Sequence, residues 1–438
     1  MTDKRSQPLG LTSATALVVA SMIGAAVFTS AGYSMGALGS REWVLVCWVV
    51  GGFVAICGAI SYGALAQQLR ESGGEYVYLA RRVHPLAGFL AGWVSLLAGF
   101  TGALAFAAGV FEQYAAPLLG VEQPNGTIAI TLIFLCVLQH SLGVAGGAWL
   151  QNAVVVVKVA GLSLLALLGW WWLGSREPLP ATPTATFTWS DFAVQLTYVY
   201  LAYSGFNAAV YVTEEVRDVE RTLPRSMLLG TLLVTVLYLA LNAVFVYSGP
   251  IDQLAGKHDI AAVAMRLLGG TTAEVCTRLL ICTALATSVS ALTMSGPRVY
   301  AKMAADGLFP IPVPPAGRAP RVAITLQSVL ASAVVLTAGL QAQLEYLGFI
   351  LMLCAAAAVA TLFWVRHDDP ARRPQWWQLT AAGLFVAAAL VLMVLTILRQ
   401  PEDDRATVAA TAVTLGAGVA MYFLLKWIDR VRTEDAEQ

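Results

Sequence analysis

Long apolar runs recur along the whole of this 438-residue chain, and they constrain its fold more than any other feature. Each run holds roughly 20 apolar residues, the length that an α-helix needs to cross a hydrocarbon core of about 30 Å. A helix satisfies its own backbone hydrogen bonds there, so each run predicts a membrane-spanning helix. We expect an all-α polytopic membrane protein whose spans, about twelve by periodicity, lie at 11–36, 43–68, 86–118, 126–142, 150–173, 190–214, 226–248, 273–303, 321–340, 343–365, 376–398 and 406–428.

Composition supports this class and excludes others. Hydrophobic residues make up 58% of the chain and charged residues only 12%, which lies outside the range of soluble globular domains. The formal net charge is zero, so composition gives no indication of nucleic-acid binding. The first apolar run lacks a small-residue cleavage site, and we expect it to remain as an uncleaved first span.

The chemistry-bearing residues do not favour an enzyme, a metal site or a cofactor. The four histidines lack metal-ligand spacing, and the six cysteines all fall inside apolar runs, so we expect neither zinc nor disulfides. The glycine-rich piece at 143–147 is not followed by the Gly-Lys-Ser/Thr of a phosphate loop. ATP-driven transport by this chain alone is therefore not expected.

The placement of basic residues predicts the orientation in the membrane. If the N-terminus is cytoplasmic, most lysines and arginines fall in cytoplasmic loops, which is the usual bias of membrane proteins. We therefore expect a multi-pass protein of the cell membrane, inner or plasma, with both termini in the cytoplasm. Two polar segments on this side have open interpretations: residues 67–78 form an interfacial helix or a solvated loop, and the charges of 214–225 are solvated or part of a gate.

One stretch, Val194 to Pro224, interrupts an apolar run with small polar residues at Tyr203-Ser204-Gly205 and then ends in charge. Backbone at membrane depth leaves helical geometry only where protein or a water-filled cavity satisfies its polar groups. One interpretation is therefore a helix that unwinds beside a cavity. The alternative is a continuous helix whose small residues pack against a neighbour.

A second interruption of the same kind lies in the first span, at residues 21–29, SMIGAAVFT. The two interruptions are five spans apart, and because five is odd, a repeat of that length sits inverted in the membrane. Paired interruptions in two inverted halves indicate the central site of a transporter. A broken helix exposes carbonyls before the break and N–H groups after it, so two breaks that face one cavity suit a zwitterion.

Lys158 stands inside the fifth span, in the apolar sequence 154–168. A charge at that depth costs several kcal/mol unless it finds a partner, which makes Lys158 a functional candidate. It lies six residues beyond Asn152. That separation is roughly 9 Å along a helix, so the long side chain alternatively reaches the cytoplasmic interface. The residues alone leave both interpretations open.

With these pieces in order, the chain resembles the amino acid–polyamine–organocation (APC) superfamily, and within it the amino acid permeases close to the L-type amino acid transporters. The resemblance covers most of the chain, and the order and spacing of its pieces make it specific. The pieces are Ile23-Gly24-Ala25-Ala26-Val27-Phe28, Glu71-Ser72-Gly73-Gly74-Glu75-Tyr76, Ala202-Tyr203-Ser204-Gly205-Phe206-Asn207, Thr213-Glu214-Glu215-Val216, Leu223-Pro224-Arg225, Ser295-Gly296-Pro297-Arg298 and Ala305-Asp306-Gly307-Leu308-Phe309-Pro310.

The resemblance implies a LeuT-type fold and transport by alternating access. The fold has two inverted five-helix repeats, here at 1–185 and 186–366, followed by two more helices and a cytoplasmic tail at 367–438. By similarity, the backbone of the first break takes the carboxylate of the substrate, carbonyls of the second take its ammonium, and Lys158 stands where sodium-coupled relatives hold a sodium ion. The substrate-binding residues implied in this way are Ile23, Gly24, Ala25, Ala26, Leu201, Ala202, Ser204, Gly205 and Asn207.

Two residues depart from the family pattern and bear on the substrate. Ala26 stands where the family usually has glycine, and Leu201 stands where L-type members carry an aromatic gate. The added methyl crowds the carboxylate site or shrinks the pocket, so we expect a small or medium neutral amino acid.

The function that we expect is sodium-independent secondary transport of amino acids, as an exchanger or a proton-linked carrier. The alternative, from a different class, is a membrane receptor or scaffold that keeps the fold and binds an amino acid as a signal. The expected partners are the amino acid substrate and the lipid bilayer. The sequence makes no prediction about an accessory subunit.

Overall fold

The structure of the chain, a computed structural model, describes residues 9–141, 148–176, 186–305, 321–364, 373–398 and 405–437. The predicted span ends at 142 and 365 and the repeat boundaries at 185 and 366 lie outside the described residues. The α-helices of the described part are α1 Leu11–Met22, α2 Ser30–Leu38, α3 Arg41–Gln68, α4 Glu75–Arg82, α5 Pro85–Val94, α6 Ala103–Ala115, α7 Thr127–Ser141, α8 Ala148–Gly174, α9 Trp189–Tyr203, α10 Val219–Tyr247, α11 Ile251–Leu254, α12 Ile260–Ala305, α13 Arg321–Thr337, α14 Leu340–Ala360, α15 Trp376–Leu398 and α16 Arg405–Glu437.

Within the described ranges the regular elements are helices, apart from one isolated parallel bridge between Leu9 and Val216. Eight helical segments in these ranges are long and apolar enough to cross a membrane, and α1, α7 and α13 are shorter apolar helices. Together with α9 they follow the predicted spans in order. The prediction of an all-α polytopic membrane protein is therefore confirmed.

Both predicted interruptions are breaks in a helix. The first span consists of α1 and α2, which are separated by residues 23–29 and a short 3₁₀ turn at Ala26–Phe28. The sixth span consists of α9 and a following 3₁₀ segment at Ala208–Glu215. The alternative of two continuous helices with packing notches is therefore wrong.

The seventh span begins earlier than the sequence predicts. Proline is a helix breaker, and the predicted start at 226 follows Pro224, but α10 begins at Val219 and runs through that proline. Pro224 lacks the N–H that would bond the carbonyl of Glu220, four residues back. The side-chain amide of Gln67 donates to that carbonyl at 2.9 Å instead. The helix therefore passes the proline without an unsatisfied carbonyl.

Helix α3 lies at the centre of the bundle, where α9, α10 and α15 pack against it. Its Trp48 forms an aromatic cluster with Tyr203 of α9 and Tyr238 of α10, with ring centroids 5.3 to 5.7 Å apart. All three side chains are fully buried. This cluster joins the second broken helix to α3 and α10. Both of these helices also pack against parts of the first broken helix.

The helix α3 also defines the two ends of the bundle. Its 28 residues span about 42 Å at 1.5 Å per residue. It starts beside the end of α2 and finishes beside α4. We call these the α2 end and the α4 end. The chain begins its first span at the α4 end, because Leu9 pairs there with Val216.

Candidate substrate site

The first break exposes backbone N–H groups. Helix α1 ends at Met22, whose carbonyl accepts a 2.7 Å hydrogen bond from the hydroxyl of Tyr238. Beyond it, the N–H groups of Ala25, Ala26 and Val27 have no hydrogen-bond acceptor among the described residues. A Cβ added at Gly24 would have only the Met22 carbonyl nearby, at 3.9 Å, so space lies over this glycine. Unsatisfied N–H groups carry partial positive charge and can bind an anion.

The second break exposes carbonyls. Helix α9 ends at Tyr203, and the chain turns at Ser204 and at Gly205, which has a φ of 101°. The carbonyls of Ala202 and Ser204 accept no hydrogen bond from the described residues. Leu201 differs, because its carbonyl already accepts the N–H of Ser204 at 3.1 Å and its hydroxyl at 2.7 Å. A carbonyl has two lone pairs, so in this conformation Leu201 has none left for a ligand.

The two breaks touch each other at Gly205. A Cβ added there would lie 2.8 Å from the carbonyl oxygen of Ser21 and 3.1 Å from the nitrogen of Met22, so only glycine fits. Its positive φ also disfavours any side chain. The sequence predicted that the two interruptions face one site, and the structure brings the end of α1 into direct contact with the turn after α9.

Lys158 lies at the first break. Its side chain is 6% exposed, and its ammonium donates to the carbonyl of Ile23 and, at 3.1 Å, to the hydroxyl of Ser288 on α12. No carboxylate among the described residues forms an ion pair with it. The side chain points into the protein rather than toward a membrane surface. Ser288 lies in the stretch 284–298 of α12, which is rich in serine and threonine.

Asn207 lies at the second break, and its partner was not predicted. The side-chain amide of Asn207 donates to the carboxylate of Glu75, the first residue of α4, at 2.6 Å. Glu75 also accepts hydroxyl groups from Tyr62 on α3 and Tyr211 on the 3₁₀ segment, at 2.6 and 2.5 Å. Glu75 is buried, with 7% of its surface exposed. The residues around Glu75 are polar and resemble a surface turn, so the sequence does not indicate that its carboxylate is buried.

The α2 end holds a cavity of about 520 Å³, lined in part by Tyr33, Glu112, His258 and Gln343. The Tyr33 hydroxyl shares a 2.6 Å hydrogen bond with Nδ1 of His258, in the loop before α12. Burial lowers the pKa of His258 below its usual value. The α4 end is packed differently, since the buried carboxylate of Glu75 lies there.

The arrangement can bind both charges of one small molecule. Free N–H groups at the first break suit a carboxylate, and free carbonyls at the second suit an ammonium. Discontinuous helices that meet in the middle of a polytopic bundle are the usual site of secondary transporters, which move a solute by exposing one site to each side in turn. The fold and this geometry define the protein as a membrane carrier of that class.

Comparison with known proteins specifies the family. The family described as amino acid permease matches residues 9–420, and the chain belongs to this family. It is similar to the serine/threonine exchanger SteT of Bacillus subtilis, with 26% identity over 74% of this chain and 75% of the relative. It is also similar to the human large neutral amino acids transporter small subunit 2, with 27% identity over 95% of this chain and 80% of the relative, and to the mouse Asc-type amino acid transporter 1, with 25% identity over the same shares.

Membership of this family confirms three predictions. The resemblance to the amino acid permeases is correct, the protein is an amino acid transporter rather than an enzyme, and it is a multi-pass membrane protein. The alternative of a receptor or scaffold is not favoured, because the similar proteins are transporters and exchangers. The assignment of individual site residues stays a prediction.

Proposed function

We propose that this amino acid transporter is sodium-independent, that it prefers small to medium neutral amino acids, and that it works as an exchanger or a proton-linked carrier. The observation that carries the proposal is the position of Lys158. Its ammonium bridges the carbonyl of Ile23 at the first break and the hydroxyl of Ser288 on α12. Carbonyl and hydroxyl oxygens are also the ligands that a sodium ion would use, so the fixed ammonium takes the place of that ion.

The substrate carboxylate would bind the N–H groups of Ala25, Ala26 and Val27, which have no other acceptor in the described part of the chain. The substrate ammonium would bind the carbonyls of Ala202 and Ser204. In this conformation Leu201 contributes its side chain only. Binding of both charges would hold α1 and α9 together at their breaks and favour an occluded state over either open one.

Two side chains at the breaks support a limit on substrate size. Ala26 adds a methyl group beside the proposed carboxylate site, and it is 4% exposed. Leu201, also buried, offers an aliphatic rather than an aromatic wall. The names of the relatives span serine and threonine as well as large neutral amino acids, which supports a neutral substrate without deciding its size.

We further propose that the α4 end faces the cytoplasm of the cell and that both termini lie there. Basic residues cluster at this end, including Arg70, Arg81, Arg82, Arg217 and Arg221. The positions of the two breaks support a division into inverted repeats at 1–185 and 186–366, because the broken helices are the first span of each. The last two spans at 367–438 then lie outside the repeats.

Uptake by purified protein in lipid vesicles tests the proposal. We expect labelled neutral amino acids such as serine and threonine to enter at the same rate with sodium or with choline as the external cation. Lys158→Ala should lose most of this uptake. Uptake by the wild-type protein that requires sodium would contradict the assignment of Lys158, and a preference for large aromatic amino acids would contradict the proposed substrate size.

A further inference from the structure

Glu75 is a buried carboxylate that takes no direct part in the proposed binding of the substrate or in the cation site. Its Oε1 accepts hydrogen bonds from Tyr62 and Asn207, both at 2.6 Å, and its Oε2 accepts one from Tyr211 at 2.5 Å. These donors come from α3, from the second break and from the 3₁₀ segment that follows it. One carboxylate therefore joins three separate parts of the bundle at the start of α4.

The hydrogen-bond partners of the Glu75 carboxylate are neutral groups. Among the described residues it forms no ion pair with lysine, arginine or histidine. Hydrogen bonds to an ionised group are about twice as strong as neutral ones, and a carboxylate at a helix N-terminus gains further from the helix dipole. If the three donors moved away, the buried carboxylate would lose its hydrogen-bond partners, which costs free energy. The conformation in which all three donors contact Glu75 is therefore favoured. Titratable groups near it in the described part of the chain include Tyr62, Tyr78, Tyr200, Tyr211 and Cys354.

Two further contacts interlock the same segments. Gly74, with a φ of 58°, packs against the ring of Tyr211. A Cβ added at Gly74 would lie only 2.7 Å from that ring. Ser72 and Glu214 exchange hydrogen bonds, since the Ser72 hydroxyl accepts the N–H of Glu214 at 3.1 Å and its own N–H donates to the Glu214 carboxylate at 3.3 Å. The loop before α4 is therefore fastened to Asn207 and to the 3₁₀ segment that follows it.

The first broken helix is held at the same end. Leu9 lies just before α1, and its N–H donates to the Glu215 carbonyl at 2.7 Å, while its carbonyl accepts the N–H of Arg217 at 2.9 Å. The 3₁₀ segment, which Glu75 binds through Tyr211, therefore ends at the residues that bind the backbone of Leu9. Both broken helices are closed against each other at the α4 end.

We propose that Glu75 is a positioning residue that latches the α4 end of the transporter closed. It holds Asn207 and Tyr211 against α3 and α4, and substrate leaves toward this side only after those two residues separate from the carboxylate. The inference rests on the proposed function, because a latch has a role only in a carrier that opens to each side in turn. Asn207 lies at the second break, so a ligand bound at that break acts directly on the latch.

Chemical modification of two native cysteines tests the latch without any transported substrate. Cys354 is half-buried on α14, within electrostatic reach of Glu75 and Tyr211, whereas Cys47 is fully buried on α3. The reactive thiolate forms where water reaches the sulfur. In Glu75→Gln we expect N-ethylmaleimide to modify Cys354 roughly fivefold faster, as for the loss of one ordinary hydrogen bond, with Cys47 unchanged.

Three further variants sharpen this test. Glu71→Gln is the matched control. Glu71 lies in the same loop, its side chain is 46% exposed, and among the described residues it pairs with Arg81 at 3.0 Å. The cysteine modification rates in this variant should equal those of the wild type. Tyr211→Phe removes one hydroxyl and should reproduce part of the Glu75→Gln effect, which also covers the case in which Glu75→Gln does not fold. The double variant should exceed the larger single change only slightly, because both act on one contact.

Transport assays separate the latch from other roles. In vesicles, Glu75→Gln should lower the maximal rate while leaving the apparent affinity within about threefold. Unchanged modification of Cys354 in folded Glu75→Gln would overturn the proposal. Selective loss of proton-driven uptake with normal exchange would also overturn it and make Glu75 a proton carrier. Absence of uptake by the wild-type protein would refute the proposed function alone, since the cysteine test needs no uptake.

Discussion

The two broken helices differ in how tightly their breaks are held. At the first, three N–H groups lack acceptors in the described chain and space lies over Gly24. At the second, Gly205 is pressed against the backbone of Ser21, and Asn207 is bound to a buried carboxylate. The backbone around the first break is therefore the more open of the two. The second is the pivot against which the first helix is positioned.

The largest effect should follow a side chain at the pivot. Gly205→Leu places a branched side chain where even a Cβ lies 2.8 Å from the Ser21 carbonyl, at a φ of 101°. We expect uptake to be abolished because the two breaks are forced apart, while folded protein remains in the membrane. Vesicle uptake, normalised to monodisperse protein, measures this. Wild-type rates would contradict the pivot.

The next effect concerns Lys158, the cation that bridges the first break and α12. Lys158→Ala removes both of its hydrogen bonds and leaves the carbonyl of Ile23 buried without a donor. We expect uptake to fall by roughly 30-fold or more, the cost of an unsatisfied buried group. Ser288→Ala removes one hydrogen bond and keeps the charge, so its uptake should fall much less. Equal losses in the two variants would show that the charge is not the important feature.

A smaller effect is expected from a substitution at the first break. It compares the same added methyl group at Gly24 and at Gly205, and so tests directly how the two breaks differ. Gly24→Ala adds the same methyl group as Gly205→Ala, but into space rather than against backbone. We expect Gly24→Ala to raise the apparent KM by roughly fivefold with unchanged thermal stability, because the methyl narrows the ligand space without strain. Gly205→Ala should lower stability and maximal rate together. Identical behaviour of the two variants would remove the distinction between the breaks.

The smallest effect tests how the half-helix beyond the first break is held. Tyr33 on α2 bonds to His258, whereas the segment beyond the second break bonds to buried Glu75. Burial is the main cause that lowers the pKa of His258, with Lys257 acting in the same direction and Asp259 opposing it. The unfolded chain therefore binds a proton more readily, so stability falls as the pH drops below about 6.5.

We expect this loss to lower the midpoint of thermal unfolding by at most about 2 °C between pH 7 and pH 5. The measurement is the difference between the wild type and His258→Gln, which cancels the other titrating groups. A wild-type midpoint that falls no more than that of the variant would show that the histidine plays no part in this dependence.

Sequence reasoning found the two breaks because their signal is local. Small and polar residues such as Ser204 and Gly205 stand out within an apolar run, and the structure confirms that α9 ends there. The same holds for the first break, where α1 ends at Met22. The spans were also predictable, since length and hydropathy decide them.

Contacts between distant parts of the chain were not predictable. Glu75 lies 132 positions from Asn207 in the sequence, and its polar neighbours resemble a solvated turn. The satisfied carbonyl of Leu201 depends on the local turn of Ser204. The early start of α10 depends on Gln67, which reaches the carbonyl that Pro224 leaves free. In each case a tertiary contact overrides the local pattern.

Equilibrium binding to the purified protein tests the central claim most directly, because the two breaks are expected to hold opposite charges of one ligand. The comparison is between a transported amino acid, its methyl ester and its N-acetyl derivative. We predict that each derivative binds at least about tenfold more weakly than the amino acid, since each loses a charge-assisted set of hydrogen bonds. Binding of either derivative as tight as that of the amino acid would contradict the account.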